Sequence, residues 1–282
     1  MFFLKLLSRL PLVVLYAFSD FLFVITYYVI GYRKKMVWKN LQNSFPEKTA
    51  AELKAIQKDF YRHLCDYGVE TLKLLTIDKE ELKARMRYIN PELVQPYKDK
   101  GQSVIMLASH QFNWEWLLTA GSLYLPYPID FVYQPVSSPL FEKFSLLSRT
   151  RFGAYPIKRY DVARESFKRR AILRGIAIVA DQYPGHENDK RFETKFLNQD
   201  TVFFLGGNQL AQLLQCPTVF AKIRRVKRGY YEMELVKLSE PPYAKDDTQC
   251  VAHYVKEVEK LIQEHPSGWL WSHNRWKTRH LD

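Results

Sequence analysis

The order of apolar and polar positions divides the chain into three stretches. Residues 11–30 read PLVVLYAFSDFLFVITYYVI, about twenty mostly apolar positions, the length of helix that crosses ~30 Å of hydrocarbon. Residues 34–75 carry helical spacing, with Val37, Leu41 and Phe45 followed by Leu53, Ile56, Phe60, Leu64 and Val69. Pro46 separates two helices there, and Glu47 and Glu52 favour the start of the second by complementing its dipole. Residues 82–94 form a short linking element.

Beyond that link the pattern alternates. Short apolar strands are predicted over 103–108, 129–133 and 176–180, and a strand pair over 219–225 and 230–238 turns around Lys227-Arg228-Gly229. Helices are predicted over 114–125, 139–149, 161–174, 208–214 and 251–264. Alternation of this kind implies an α/β fold, a central mixed sheet flanked by helices.

Charge changes the picture of the first stretch. Lys5 and Arg9 precede it, and Arg33, Lys34, Lys35 and Lys39 follow it, so the heavier basic cluster keeps the remainder of the chain cytoplasmic. A secretory signal would end in small residues, whereas Gly31-Tyr32-Arg33-Lys34 makes a poor cleavage site. Asp20 sits in mid-run and is costly in a free span. Two readings remain: a single membrane anchor with Asp20 turned to protein, or a helix lying in the interface.

The chain as a whole is basic, with 42 Lys and Arg against 30 Asp and Glu among 282 residues, a net charge of +12, and it is 15% aromatic. That balance points to an acidic partner: nucleic acid, anionic lipid or an acidic carrier protein. Much of the surplus lies between Lys143 and Arg174, where ten basic residues face two acidic ones. A solvated face is the bland alternative to a docking surface. No zinc pattern, ribonucleoprotein sequence or helix-turn-helix supports nucleic acid. Cys65, Cys216 and Cys250 are far apart and form no CxxC pair, which argues against a disulfide framework or a zinc site.

The sharpest chemistry lies in Ala108-Ser109-His110-Gln111-Phe112-Asn113-Trp114-Glu115-Trp116. A buried strand ends just before His110, and open α/β sheets bind ligands at such strand ends. Asn113 is a candidate N-cap, which puts Glu115 in the first helical turn. A carboxylate there can fix the tautomer of His110 and make it a general base for a hydroxyl nucleophile. Asp181 follows the strand over 176–180 as His110 follows its own, so both can share one sheet edge.

HQFNWE resembles the H-x4-D/E motif of the lysophospholipid and glycerolipid acyltransferase superfamily, and the chain resembles its late (secondary) lipid A acyltransferase branch. Supporting blocks are Tyr32-Arg33-Lys34-Lys35 through Asn40-Leu41 with Phe45-Pro46, Arg149-Thr150-Arg151-Phe152-Gly153, Val179-Ala180-Asp181-Gln182, Phe203-Phe204-Leu205-Gly206, and Trp269 through Lys277. Each is modest alone; their order and spacing together are specific. The phosphate motif of the glycerol-phosphate acyltransferases is not evident.

The resemblance implies a glycerolipid acyltransferase-like fold, with residues 1–32 as anchor or interfacial helix and 33–282 as catalytic domain. It implies transfer of a fatty acyl group from a thioester of acyl carrier protein or coenzyme A to a hydroxyl of an anionic lipid, a lipid A precursor, at the inner (cytoplasmic) membrane. No metal or organic cofactor and no acyl-enzyme are expected. His110 is the implied base and Glu115 its orienting partner. Arg149 or Arg151 would bind phosphate or developing charge. Asp181, in the block shared with Gln182, is expected to hold an arginine or a sugar hydroxyl. Trp269, Trp271 and Trp276 read as core or interface aromatics and His273 as structural. His63, His186, His253, His265 and His280 have no supporting pattern. Rival readings are an acyltransferase for another lipid, and a non-catalytic protein that captures anionic membrane.

Overall fold

The computed structural model describes residues 1–185 and 189–277; His186 and His280 fall outside them. The first stretch is not one uniform helix. A short helix α1 (Phe2–Leu7) ends before Pro11, then α2 (Leu12–Val24) runs into a wider π-helical turn over Ile25–Ile30. Leu12, Leu15, Ser19, Phe23 and Tyr27 form a buried stripe at helical spacing, while Val13, Phe18, Phe21 and Val29 face outward.

The buried stripe of α2 packs on α4 (Ala50–Lys73), which follows α3 (Lys34–Ser44). A capping box starts α4: Thr49 accepts from the Glu52 amide, and the Glu52 carboxylate accepts from the Thr49 amide. Asp20 stays largely exposed, but one ion pair ties it to the body. Arg228 joins it at 2.7 Å and joins buried Asp66 of α4 at 2.6 Å.

A seven-stranded sheet forms the centre. Its strands are β1 (Met86–Tyr88), β2 (Val104–Ala108), β3 (Ile129–Tyr133), β4 (Tyr155–Lys158), β5 (Gly175–Val179), β8 (Thr218–Lys227) and β9 (Tyr230–Ser239). The order is β1-β9-β8-β2-β5-β3-β4, parallel everywhere except between β8 and β9. The fold is therefore α/β with a mixed sheet, as the alternation predicted. Helices α7 (Trp114–Tyr124), α8 (Pro139–Arg149), α10 (Gly206–Leu214) and α11 (Gln249–Glu264) lie close to the boundaries read from periodicity.

Three features differ from expectation. The helix predicted over 161–174 survives only as α9 (Val162–Lys168). The buried guanidinium of Arg174 takes the carbonyls of Ser166 and Ile172, so the helical ladder stops and the chain turns into β5. The edge strands β1 and β4 were not predicted, because three or four residues carry too little periodicity to be read. A separate antiparallel ribbon, β6 (Arg191–Phe196) and β7 (Gln199–Phe204), was also missed. Its two-residue turn puts Leu197 and Asn198 at φ 48° and 64°, where a leucine gives no turn signal. The remaining helices are α5 (Lys79–Arg85) and α6 (Gln95–Asp99).

Connectivity then picks a spot on the sheet. The chain leaves β2 and returns as β3 on the far side of β5; it leaves β5 and returns as β8 on the far side of β2. The two crossovers diverge from the gap between β2 and β5, the place where open α/β sheets hold ligands beyond their strand ends.

Candidate active site

Register builds the centre of the site. Ala108 of β2 stands opposite Val179 of β5, so the pairing continued two residues further brings His110 level with Asp181. His110 Nδ1 lies 2.6 Å from Asp181 Oδ1, and the His110 amide donates to Oδ2 at 2.9 Å. The Trp269 indole donates to the same Oδ2 at 2.7 Å. The carboxyl of Asp181 is 1% exposed. Burial alone would raise its pKa, but the His110 imidazole and amide and the Trp269 indole outweigh burial and hold it below the ordinary value. With Asp181 ionised, Nδ1 carries the proton and Nε2 is left as the basic nitrogen. Gln182 Nε2 sits 3.3 Å from that Nε2.

The C-terminal block holds this loop from the other side. Gln111 bridges Trp269 backbone to backbone, the Leu270 amide donates to the His110 carbonyl, and the Phe112 amide donates to the Gly268 carbonyl at 2.8 Å. Phe112 is held at φ 47°, in the left-handed region that a bulky residue avoids. Gly268 allows the approach: a Cβ there would lie 2.6 Å from the Phe112 ring. Trp269 and Trp271 are core aromatics, as read, but Trp269 also fixes Asp181, a role that sequence reading missed. His273 accepts from the Tyr183 amide at 3.4 Å, and burial pushes its pKa down to about 4.

Asn113 caps α7 as predicted, accepting from the Trp116 amide at 2.9 Å. Glu115 stands in the first turn, but its partner is not His110. Arg149, at the end of α8, grips it with two hydrogen bonds of 2.7 and 2.6 Å, and the Tyr67 hydroxyl reaches it at 3.4 Å. Burial would weaken the Arg149 charge, but Glu115 more than offsets this and raises its pKa. The expected His110–Glu115 contact is thus replaced by two pairs, His110–Asp181 and Glu115–Arg149. Asp181 holds neither an arginine nor an open position for a sugar hydroxyl. Tyr67, stacked on Trp114 at 4.1 Å, was not found in the sequence because α4 is far away along the chain.

His110, Glu115, Arg149 and Gln182 line one cavity of about 460 Å³. Its walls are otherwise mostly apolar, from α7 and from the sheet face carrying Met106, Ala177, Ile129 and Phe131. Arg151 is not among the lining residues; it donates to the Leu74 carbonyl at the end of α4. Much of the basic 143–174 segment is paired internally as well. Arg159 meets Asp189, Arg164 meets Asp161, and Arg169 and Arg174 both grip fully buried Asp130. Among the described residues no group of three or more His, Cys, Asp or Glu is arranged to hold a metal ion. The three cysteines are buried and unpaired.

The model of the bacterial lipid A biosynthesis acyltransferase family matches residues 1–278. The chain belongs to this family. Two relatives are distant but extensive. A lipid A biosynthesis lauroyltransferase of Escherichia coli is 24% identical over 282 residues, covering 98% of this chain and 89% of that protein. A lipid A biosynthesis acyltransferase of Haemophilus influenzae is 21% identical over 249 residues, covering 85% and 74%. Acyltransferase activity and membrane association follow from membership, and the apolar helix from Leu12 to Ile30 is long enough to cross a bilayer.

Proposed function

We propose that this chain moves a fatty acyl group from a thioester, on acyl carrier protein or coenzyme A, to a hydroxyl of a lipid A precursor. The observation that carries the reading is the His110–Asp181 pair at the mouth of an apolar cavity, on the gap between β2 and β5. His110 Nε2 accepts the proton of the acceptor hydroxyl as its oxygen attacks the thioester carbonyl. The Nδ1–H to Asp181 stabilises the imidazolium that forms. The acceptor hydroxyl displaces the Gln182 amide from Nε2. Collapse of the tetrahedral intermediate expels the thiolate, which takes up the proton.

Glu115 and Arg149 form the second polar wall of the cavity mouth. Arg149 brings positive charge to the place where a phosphate or the developing oxyanion would lie, and Glu115 fixes the direction of its guanidinium. Residues 33–282 are the catalytic unit in this reading and 1–32 its attachment to the inner membrane, with the site on the cytoplasmic side. The unpaired bases of the 143–174 segment remain a candidate docking surface for an acidic carrier or lipid headgroups.

Purified parent and His110→Ala protein, incubated with acyl thioesters and membrane lipid extract, decide the matter by product mass. Loss of transfer by about 10²-fold or more in the variant, with fold and membrane binding kept, is expected. Equal transfer by the two proteins would remove the mechanism. Products on lipids other than lipid A precursors would move the acceptor to another lipid class.

A further inference from the structure

The loop that carries His110 is backed by one face of α4. His63, Tyr67 and Glu70 follow one another on that face at helical spacing. His63 meets the Phe112 ring at 5.4 Å, and Tyr67 stacks on Trp114 at 4.1 Å. Glu70 takes the side chain of Asn113. The first two contacts are between rings. The third is a buried polar bond, and it falls on the residue that starts α7.

Asn113 has two duties. Its Oδ1 accepts from the Trp116 amide at 2.9 Å and caps the helix, and its Nδ2 donates to Glu70 Oε2 at 2.7 Å. The backbone N–H decides which end of the side-chain amide faces α7, so Nδ2 must find an acceptor on the other side. Both side chains are fully buried, and without the Glu70 carboxyl that Nδ2 would lose its partner. The carboxyl is itself held in place by the hydroxyls of Tyr16 and Tyr231, and the Glu70 carbonyl accepts from the Trp116 indole at 2.9 Å.

What hangs on the cap is the first turn of α7. Trp114 lies against the His110 ring at 5.0 Å, and Glu115 holds the Arg149 guanidinium. Loosening Asn113 therefore disturbs both polar walls of the cavity mouth together. Glu70 itself does not line the cavity. We propose that Glu70 is a positioning residue for acyl transfer: by anchoring Asn113 to α4 it fixes the first turn of α7 against His110. The inference rests on the acyl-transfer reading and deepens it by adding a residue that acts without touching substrate.

The test is steady-state kinetics on the folded full-length protein, with a saturated acyl thioester varied and membrane lipid extract in excess. Glu70→Met keeps the length of the side chain but offers Asn113 no acceptor. Its kcat is expected to fall by about 10- to 100-fold, the cost of a displacement of about 1 Å, while KM for the thioester stays within about threefold. Glu70→Gln, which can still turn an oxygen to Asn113, recovers most of the rate. A role confined to stability would leave kcat per folded molecule at the parent's value in all of these proteins. Asn113→Ser cuts the same link from the other end: its hydroxyl still caps α7 but stops short of Glu70, and kcat falls likewise. Combined with Glu70→Met it costs no more than the larger single change. Parent kcat in folded Glu70→Met, or in Asn113→Ser should Glu70→Met fail to fold, would overturn the proposal, and so would full additivity of the two. Absence of transfer by the parent would instead overturn the acyl-transfer reading beneath it.

Discussion

Two buried carboxylates accept three hydrogen-bond partners each and end up in opposite states. Glu70 of α4 is 0% exposed and Asp181 1%. Glu70 accepts from neutral donors only: Asn113 Nδ2 at 2.7 Å, the Tyr16 hydroxyl at 2.8 Å and the Tyr231 hydroxyl at 2.9 Å. Burial outweighs those bonds and, with Asp66 nearby, raises its pKa to about 7. Asp181 accepts from a backbone amide, an indole and an imidazole that can carry charge, and is held low. Burial is the same; the chargeable neighbour decides. One carboxyl ties α2, α4, α7 and β9 together, and the other fixes the ring of His110.

The largest effect that would break this contrast is on rate. Asp181→Asn keeps the shape but offers Nδ1 an amide in place of an anion, so kcat falls by about 10²–10⁴-fold with the fold retained. A full-rate Asn variant would remove Asp181 from the site.

Next is the second pair. Arg149→Met leaves Glu115 buried without its partner, a loss of about 3–5 kcal/mol in chemical denaturation; Arg149→Met with Glu115→Gln recovers part of it. If the single and double variants are equally destabilised, the pair is not coupled.

The contrast is sharpened by pH. Glu70's carboxyl binds its proton more tightly in the folded chain than in the unfolded one. The stability this supplies is full below the ordinary carboxylate range and is lost as pH rises through about 7. Glu70→Gln has no proton to lose, so its unfolding free energy in chemical denaturation should gain on the parent between pH 5 and 8, by on the order of 3 kcal/mol at most. A constant gap would mean that Glu70 is ionised throughout. The smallest effect belongs to Asp20→Asn, on a half-solvated pair with Arg228, which should cost less than about 1 kcal/mol in the same assay.

Much of this was legible beforehand, and the reasons differ by element. Apolar strands and long helices declare themselves by period, so β2, β3, β5, α7 and α8 were placed within a residue or two. Of the candidate site residues, His110, Glu115, Arg149 and Gln182 line one cavity and Asp181 lies beside it, while Arg151 turns away to the Leu74 carbonyl. Their pairing was not legible. Glu115 is five residues from His110 and drew the eye, whereas Asp181 is 71 residues away and becomes its neighbour only through strand register. Tyr67 and Trp269 escaped for the same reason, since nothing local links them to the loop they hold.

The clasp at Arg228 has a consequence for how the protein explores its surroundings. The turn between β8 and β9 grips the apolar helix through Asp20 and the helix beneath it through Asp66. Helix and body therefore travel as one piece, without a tether on which the body could swing outward. The position of the body relative to that helix is fixed by construction. Whatever surface holds the helix therefore also sets the height and tilt of the cavity, because no hinge lies between the two.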